Sequence, residues 1–136
     1  MPHDLNAIAA ALAEARHGRT PIPPVTETSS GFDVASAYAV QEINTQRRLA
    51  AGERIVGRKI GLTSPAVQAQ LGVSEPDYGM LFDVDDVSGR ASVAMSELMQ
   101  PKVEAEIAFV LGKSISRPDP SLEEIASAID YAVAAV

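Results

Sequence analysis

The spacing of apolar residues changes near Gly52, and this change is the strongest constraint on the fold. Before it, apolar side chains recur at helical spacing, as in residues 5–12, which is typical of amphipathic helices. After it, they alternate over short stretches that Gly and Pro interrupt, which is typical of strands. The sequence therefore predicts an α+β fold in one domain, in which residues 1–52 are helical and residues 53–136 begin a β core.

Side chains that cap helices fix several of the predicted boundaries. Asp4 precedes the first periodic segment, and Asp33 precedes a second one that we expect over residues 34–50. An Asp at this position accepts hydrogen bonds from the free amides of the first turn. Ser121 and Glu124 have the spacing of a capping box, which predicts a short helix near the C-terminal end.

Composition excludes several classes of function. The 136 residues carry a formal net charge of −7, which disfavours nucleic acid as a partner. There are no cysteines, so disulfides, thiolate metal sites and cysteine nucleophiles are excluded. The sequence has neither a membrane-length apolar run nor a basic signal peptide, so we expect a cytoplasmic protein without a membrane partner. An anionic substrate would need a lysine or a bound cation.

Two glutamates occupy one side of an alternating segment, residues 102–111. One face of this predicted strand is apolar and consists of Val103, Ala105, Ile107, Phe109 and Leu111. Glu104 and Glu106 lie on the other face, roughly 7 Å apart, followed there by Ala108 and Val110. Carboxylate oxygens suit Mg²⁺ or Mn²⁺, so the pair is a candidate metal site. The alternative is an edge strand whose charged face is solvated.

Lys59 lies in a second predicted strand with a glycine two residues away on either side. Gly57, Lys59 and Gly61 would share one face, so the backbone beside the lysine is uncovered. Glycines in a strand indicate close approach of a ligand, and the ammonium group could bind a carboxylate or act as an acid. The alternative is a surface lysine on a bulged strand.

Asp77 lies between Pro76 and Tyr78 in a predicted turn. A rigid loop can present such a carboxylate as a general acid or base. Because Asp after Pro is also common in turns that have no catalytic role, the position alone leaves both interpretations open.

Two long motifs bring these residues together. The segments IVGRKIGLTSPAVQAQLGVSEPDYGMLF (55–82) and QPKVEAEIAFVLGK (100–113), with the helix ASAYAVQEIN (35–44), occur in this order and spacing. They resemble the 2-keto-4-pentenoate hydratase and 2-oxo-3-hexenedioate decarboxylase family of aromatic meta-cleavage pathways. That family lies within the fumarylacetoacetate hydrolase-like superfamily, so the resemblance implies N-terminal helices that lead into a mixed, barrel-like β fold.

The resemblance also implies a chemistry. It assigns Glu104 and Glu106 as ligands of Mg²⁺ or Mn²⁺, and Lys59 and Asp77 as catalytic residues that move protons or position water. It implies hydration of a small anionic substrate, 2-hydroxypenta-2,4-dienoate, to 4-hydroxy-2-oxopentanoate by a homo-oligomer. The EPDYG sequence around Asp77 favours the hydratase, and the alternative enzyme is 2-oxo-3-hexenedioate (4-oxalocrotonate) decarboxylase.

The C-terminal residues favour a shortened chain. The sequence stops within an apolar run, residues 131–136, although chain termini usually lie at the surface. In the family that the chain resembles, a third metal-binding glutamate follows this strand. We therefore expect a truncated fold, and the remaining alternative is a non-catalytic remnant that acts only as an interaction module.

Overall fold

The computed structural model describes residues 3–136, which form two compact units. The first unit extends to Met99, and the second is Gln100–Val136. In chain order the helices and strands are α1 (Leu5–Gly18), α2 (Val25–Thr28), α3 (Val34–Ala50), β1 (Ile55–Gly61), α4 (Pro65–Leu71), β2 (Asp77–Phe82), β3 (Glu106–Leu111), α5 (Leu122–Ala128) and β4 (Ile129–Ala135). Helices and strands are both present, so the predicted α+β class is confirmed. The assignment of the whole chain to a single domain stays a prediction.

The predicted barrel is not found among the described residues. Their strands form two separate two-stranded sheets, β1 with β2 and β3 with β4. Both pairs are antiparallel. A barrel needs a sheet that closes on itself, and two strands cannot provide one. The part of the fold prediction that required a closed β structure is therefore not met by this chain alone.

The two long helices form the core of the first unit. Helix α1 packs against α3, and Ala9 and Val40 are buried. The predicted caps are confirmed, because Asp4 accepts a hydrogen bond from the Ala7 amide at 3.0 Å. Asp33 likewise accepts one from the Ser36 amide at 2.8 Å. The latter bond stabilises the ionised carboxyl and lowers the pKa of Asp33.

Arg48 joins helix α3 to the far end of β2. Its guanidinium lies 3.6 Å above the ring centre of Phe82, which is buried. The same group donates to Glu53 at 2.5 Å and to Asp85 at 2.8 Å. Asp85 also accepts from Arg16 of α1 at 2.7 Å. The resulting cluster ties both long helices to the β1–β2 hairpin.

A second acidic residue closes the open end of that hairpin. Asp83 accepts from the backbone amide of Arg54 at 3.0 Å and from its guanidinium at 2.9 Å. These hydrogen bonds favour the carboxylate form and lower the pKa of Asp83. The aspartates that follow β2 thus have structural partners.

The second unit consists of the β3–β4 pair and of α5, which lies between the two strands in the chain. The predicted capping box of α5 is confirmed, since the Glu124 amide donates to Ser121 at 3.2 Å and the Ser121 amide donates to Glu124 at 2.7 Å. The predicted strand over residues 102–111 begins too early. Glu106 is the first residue of β3 and lies opposite Ala135, whereas Glu104 precedes the strand.

No helix within residues 3–136 combines the length and the apolar content that a segment crossing a bilayer requires.

Candidate functional site

Lys59 and Asp77 lie on the same face of the β1–β2 hairpin. Lys59 is opposite Gly79, and Gly61 is opposite Asp77. Residues that are directly opposed in an antiparallel pair project to the same side, and residues two apart on one strand do so as well. The register therefore places Lys59 and Asp77, which the sequence predicted as catalytic residues, on one face of the hairpin.

Glycines keep this face open. A Cβ atom on Gly61 would collide with the Asp77 carboxylate, so glycine is needed there for the carboxylate to take its observed position. A Cβ on Gly79 would meet no atom within 4 Å, which shows that the space above the strand opposite Lys59 is empty. The face thus offers bare backbone beside one cationic and one anionic group, which suits a small polar ligand.

Two side chains of α3 hold the start of β2. The Tyr38 hydroxyl accepts from the Tyr78 amide at 3.3 Å, and the Gln41 amide group donates to the Tyr78 carbonyl at 3.0 Å. The Tyr38 and Tyr78 rings are stacked, with their centres 4.9 Å apart. These contacts satisfy the outward backbone groups of an edge strand. They also fix the residue that follows Asp77 in the chain.

The turn after β1 contains an unusual backbone conformation. Leu62 has a φ of 55°, in the left-handed region that residues with a side chain seldom adopt. Its carbonyl accepts a hydrogen bond from the Gln68 side chain at 2.6 Å, which holds this turn against α4. Strained backbone of this kind is concentrated at binding and catalytic sites.

A cleft of about 620 Å³ lies beside Asp77 in the first unit. Its walls come from α3, from the turn after β1 and from the loop that leads into β2. The lining includes Val34, Ala37, Tyr38, Leu62, Val73, Glu75 and Asp77. Lys59 is not among the lining residues, so Asp77 is the member of the predicted catalytic pair that faces the cleft. The volume suits a small organic molecule.

The two predicted metal ligands lie in the second unit. Glu106 begins β3, whereas Glu104 precedes it, and both residues are exposed. Each of them, like Lys59, interacts with another group of the protein. Within residues 3–136, no three His, Asp or Glu side chains form a cluster that could hold a metal ion. This chain thus offers two carboxylates, separated by Ala105, in one segment.

Sequence reasoning missed several residues that shape this face and the cleft. Tyr38 and Gln41 read as ordinary helix positions, and Gly79 read as part of a turn. Each of these residues contacts or faces a residue distant in the chain. Such pairs can be identified only from the strand register and the helix packing. The run Glu75-Pro76-Asp77 was the available signal, because it marks a rigid loop beside a predicted catalytic residue.

Comparison with known proteins gives consistent similarities, although no family model matches the chain. A 2-keto-4-pentenoate hydratase of Paraburkholderia xenovorans (strain LB400) is 47% identical over 135 residues, which are 99% of this chain and 50% of the relative. A 2-hydroxypent-2,4-dienoate hydratase of Pseudomonas putida is 39% identical over 132 residues, which are 95% of this chain and 59% of the relative. The chain spans about half the length of the curated relatives it matches.

Solved structures show the same relationship. The 4-oxalocrotonate decarboxylase of Pseudomonas putida G7, complexed with magnesium and adipate, superposes with a TM-score of 0.83 at 36% identity. The match covers 96% of this chain and 49% of that protein. A second structure of the decarboxylase, with calcium and acetate, gives a TM-score of 0.82 at the same identity.

Proposed function

The chain belongs to the family of 2-keto-4-pentenoate hydratases, of which it is an N-terminal part, and from this premise we propose that the whole protein hydrates 2-hydroxypenta-2,4-dienoate. The product would be 4-hydroxy-2-oxopentanoate. The observation that carries the proposal is the shared face of Lys59 and Asp77, where Gly79, opposite Lys59, leaves open space above the backbone. A site of this kind binds a small anion beside a group that can exchange protons.

The reaction needs two proton transfers and one addition of water. The dienol first loses the proton of its 2-hydroxyl group and gains one at C5, which gives an α,β-unsaturated ketone. The oxygen of water then bonds to C4, and a proton is delivered to C3. Lys59 would hold negative charge at the oxygen end of the substrate, because its ammonium lies on the open face.

Asp77 is placed to serve the other end of the substrate. Its carboxylate lies over Gly61 and also lines the cleft, so it can orient water or deliver a proton to a substrate carbon. The backbone of its neighbour Tyr78 is fixed by Tyr38 and Gln41, which limits the movement of the carboxylate. A fixed base lowers the entropic part of the barrier.

We include a divalent cation in the proposal, held by Glu104 and Glu106. The donor set fits, since carboxylate oxygens are the ligands that Mg²⁺ and Mn²⁺ prefer. When bound, the cation would polarise the carboxylate and the 2-oxygen of the substrate. The test is Mn²⁺ affinity by calorimetry in a form that extends over the length of the relatives. The Glu104→Gln/Glu106→Gln variant should bind more weakly, and equal affinity would remove both residues from the proposal.

Decarboxylation of 2-oxo-3-hexenedioate is the second candidate. Two solved structures that the chain resembles are those of a 4-oxalocrotonate decarboxylase. The curated relatives at higher identity are named hydratases, and for that reason we place hydration first. Both reactions pass through an enolate, so Lys59 and the carboxylate pair would serve either one.

Three further features belong to the same proposal. The two hairpins would become parts of a barrel-like sheet in the longer protein, as the superfamily resemblance implies. The enzyme would act in aromatic compound catabolism in the cytoplasm. It would be a homo-oligomer, since exposed apolar strand faces favour association.

The reaction class can be tested by offering both acids to the extended form. With 2-hydroxypenta-2,4-dienoate we expect rapid loss of dienol absorbance and formation of 4-hydroxy-2-oxopentanoate. With 2-oxo-3-hexenedioate we expect little release of CO₂. Rapid CO₂ release without hydration of the pentadienoate would replace the first function with the second.

A further inference from the structure

The cleft beside Asp77 has a distinctive lining. Val34, Ala37, Leu62 and Val73 supply apolar walls, and the ring of Tyr38 adds to them. The charged groups of the lining are two carboxylates, Glu75 and Asp77. Among the described residues that line it there is no Lys or Arg. A cleft with this composition accepts apolar groups and repels anions.

We propose that this cleft receives the uncharged end of the substrate and that Glu75 excludes acids which carry a second carboxylate there. The inference deepens the proposed function and rests on it. In that function the carboxylate and the 2-oxygen lie at cationic groups, so C4 and C5 extend toward Asp77. The pentadienoate would present an uncharged alkene to the cleft. A hexenedioate would place its second carboxylate beside the carboxylates of Glu75 and Asp77.

Glu75 is the selective member of the pair. Asp77 would lie beside the reacting carbons of every substrate, because it is proposed to act on them. Glu75 lies two residues earlier in the chain and would contact only a substrate group that extends beyond those carbons. Its side chain is exposed, so water and salt weaken the repulsion. We therefore expect a discrimination of about five- to tenfold at low ionic strength, and less when salt is added.

The experiment compares two acids that differ only at the far end. Hex-3-enoate and hex-3-enedioate are titrated into the 136-residue chain, and binding is read from the NMR shifts of the Leu62, Val73 and Tyr78 amides. The monoacid should bind more tightly by the stated factor. Glu75→Gln should reduce the preference to less than about twofold, and Glu75→Lys should reverse it.

The matched control is Glu123→Gln in α5, which removes the same charge from an exposed position in the other unit. It should leave the preference unchanged. Equal binding of the two acids, a preference that survives in Glu75→Gln, or the absence of shifts at the cleft amides would each overturn the inference.

These outcomes are separate from those of the proposed function. The NMR titration reads binding in the cleft and needs no turnover, whereas the hydration assay on the extended form reads chemistry. Selective binding without hydration would contradict the proposed reaction and keep the cleft assignment. Hydration of the pentadienoate with no binding in the cleft would support the proposed reaction and contradict the cleft assignment.

Discussion

The two hairpins differ in how they are supported. The β1–β2 hairpin is held by α3, through the Tyr78 hydrogen bonds and through Arg48 over the buried Phe82 ring. The β3–β4 pair has its apolar face open, since Ile107 is 68% and Phe109 is 60% exposed. A two-stranded hairpin is marginally stable without a packed face. The comparison indicates that the Lys59–Asp77 face is already organised in this chain, whereas the segment with the carboxylate pair is less constrained.

The largest effect should come from removing the link between α3 and β2. Arg48→Ala removes a cation above the Phe82 ring and leaves Glu53 and Asp85 without this partner. We expect a loss of about 2–3 kcal/mol in the free energy of unfolding. Urea unfolding measures it, and Arg58→Ala, which changes an exposed arginine of β1, is the control. If the two variants are equally stable, the support ascribed to Arg48 does not exist.

The second effect concerns the open face itself. Gly61→Ala would push the Asp77 carboxylate aside, whereas Gly79→Ala adds a methyl group where no atom lies within 4 Å. We expect Gly61→Ala to lower kcat/KM of the extended form by about tenfold or more, because misplaced groups lose effective molarity. Its stability should change by only about 1 kcal/mol, since a carboxylate can rotate away. Equal losses of activity in both variants would contradict the geometry of this face.

A smaller effect should follow from cutting one of the contacts to Tyr78. Tyr38→Phe keeps the stacked ring and removes the hydroxyl that accepts from the Tyr78 amide. The expected cost is about 1 kcal/mol, together with faster hydrogen exchange at that amide. Tyr131→Phe in β4, where the ring is 53% exposed, should change neither quantity. Unchanged exchange at Tyr78 would show that α3 does not fix this strand.

The smallest effect lies outside both hairpins, in the loop between β2 and β3. Glu97 accepts from Arg90 at 2.6 Å and from the Ala94 amide at 3.1 Å, which lowers its pKa to about 2. Because the folded pKa lies below the usual value of 4.5, the contact stabilises the loop above that value. The contribution is lost as the pH falls from there through about 2. In Arg90→Met the midpoint of the Glu97 titration, followed by NMR, should rise toward the ordinary range. An unchanged midpoint in that variant would contradict the role of Arg90.

The sequence could predict features that depend on residues close together in the chain. The Asp33 cap and the bounds of α3 followed from neighbours within one turn, and both are confirmed. The family followed from two long motifs, and the relatives confirm it. The shared face of Lys59 and Asp77 could not be derived from periodicity, because it depends on which residue of β1 meets which residue of β2.

The same reason explains the error at β3. Alternation predicts a strand wherever it occurs, but a strand begins at its first paired residue, and here that residue is Glu106. Glu104 continues the alternating pattern but precedes the strand. The relation of the two glutamates to a metal ion therefore stays a prediction from the resemblance.

The central claim is that Lys59 and Asp77 act together in hydration. Steady-state kinetics on the extended form, with 2-hydroxypenta-2,4-dienoate, tests it through Lys59→Met, Asp77→Asn and the double variant. Each single change should lower kcat/KM by about 10²–10⁴-fold, and the double variant should lose less than the product of the two. Lys113→Met and Asp119→Asn, which change the same residue types in the second unit, should retain the parent rate. Near-parent activity in either single variant would contradict the account.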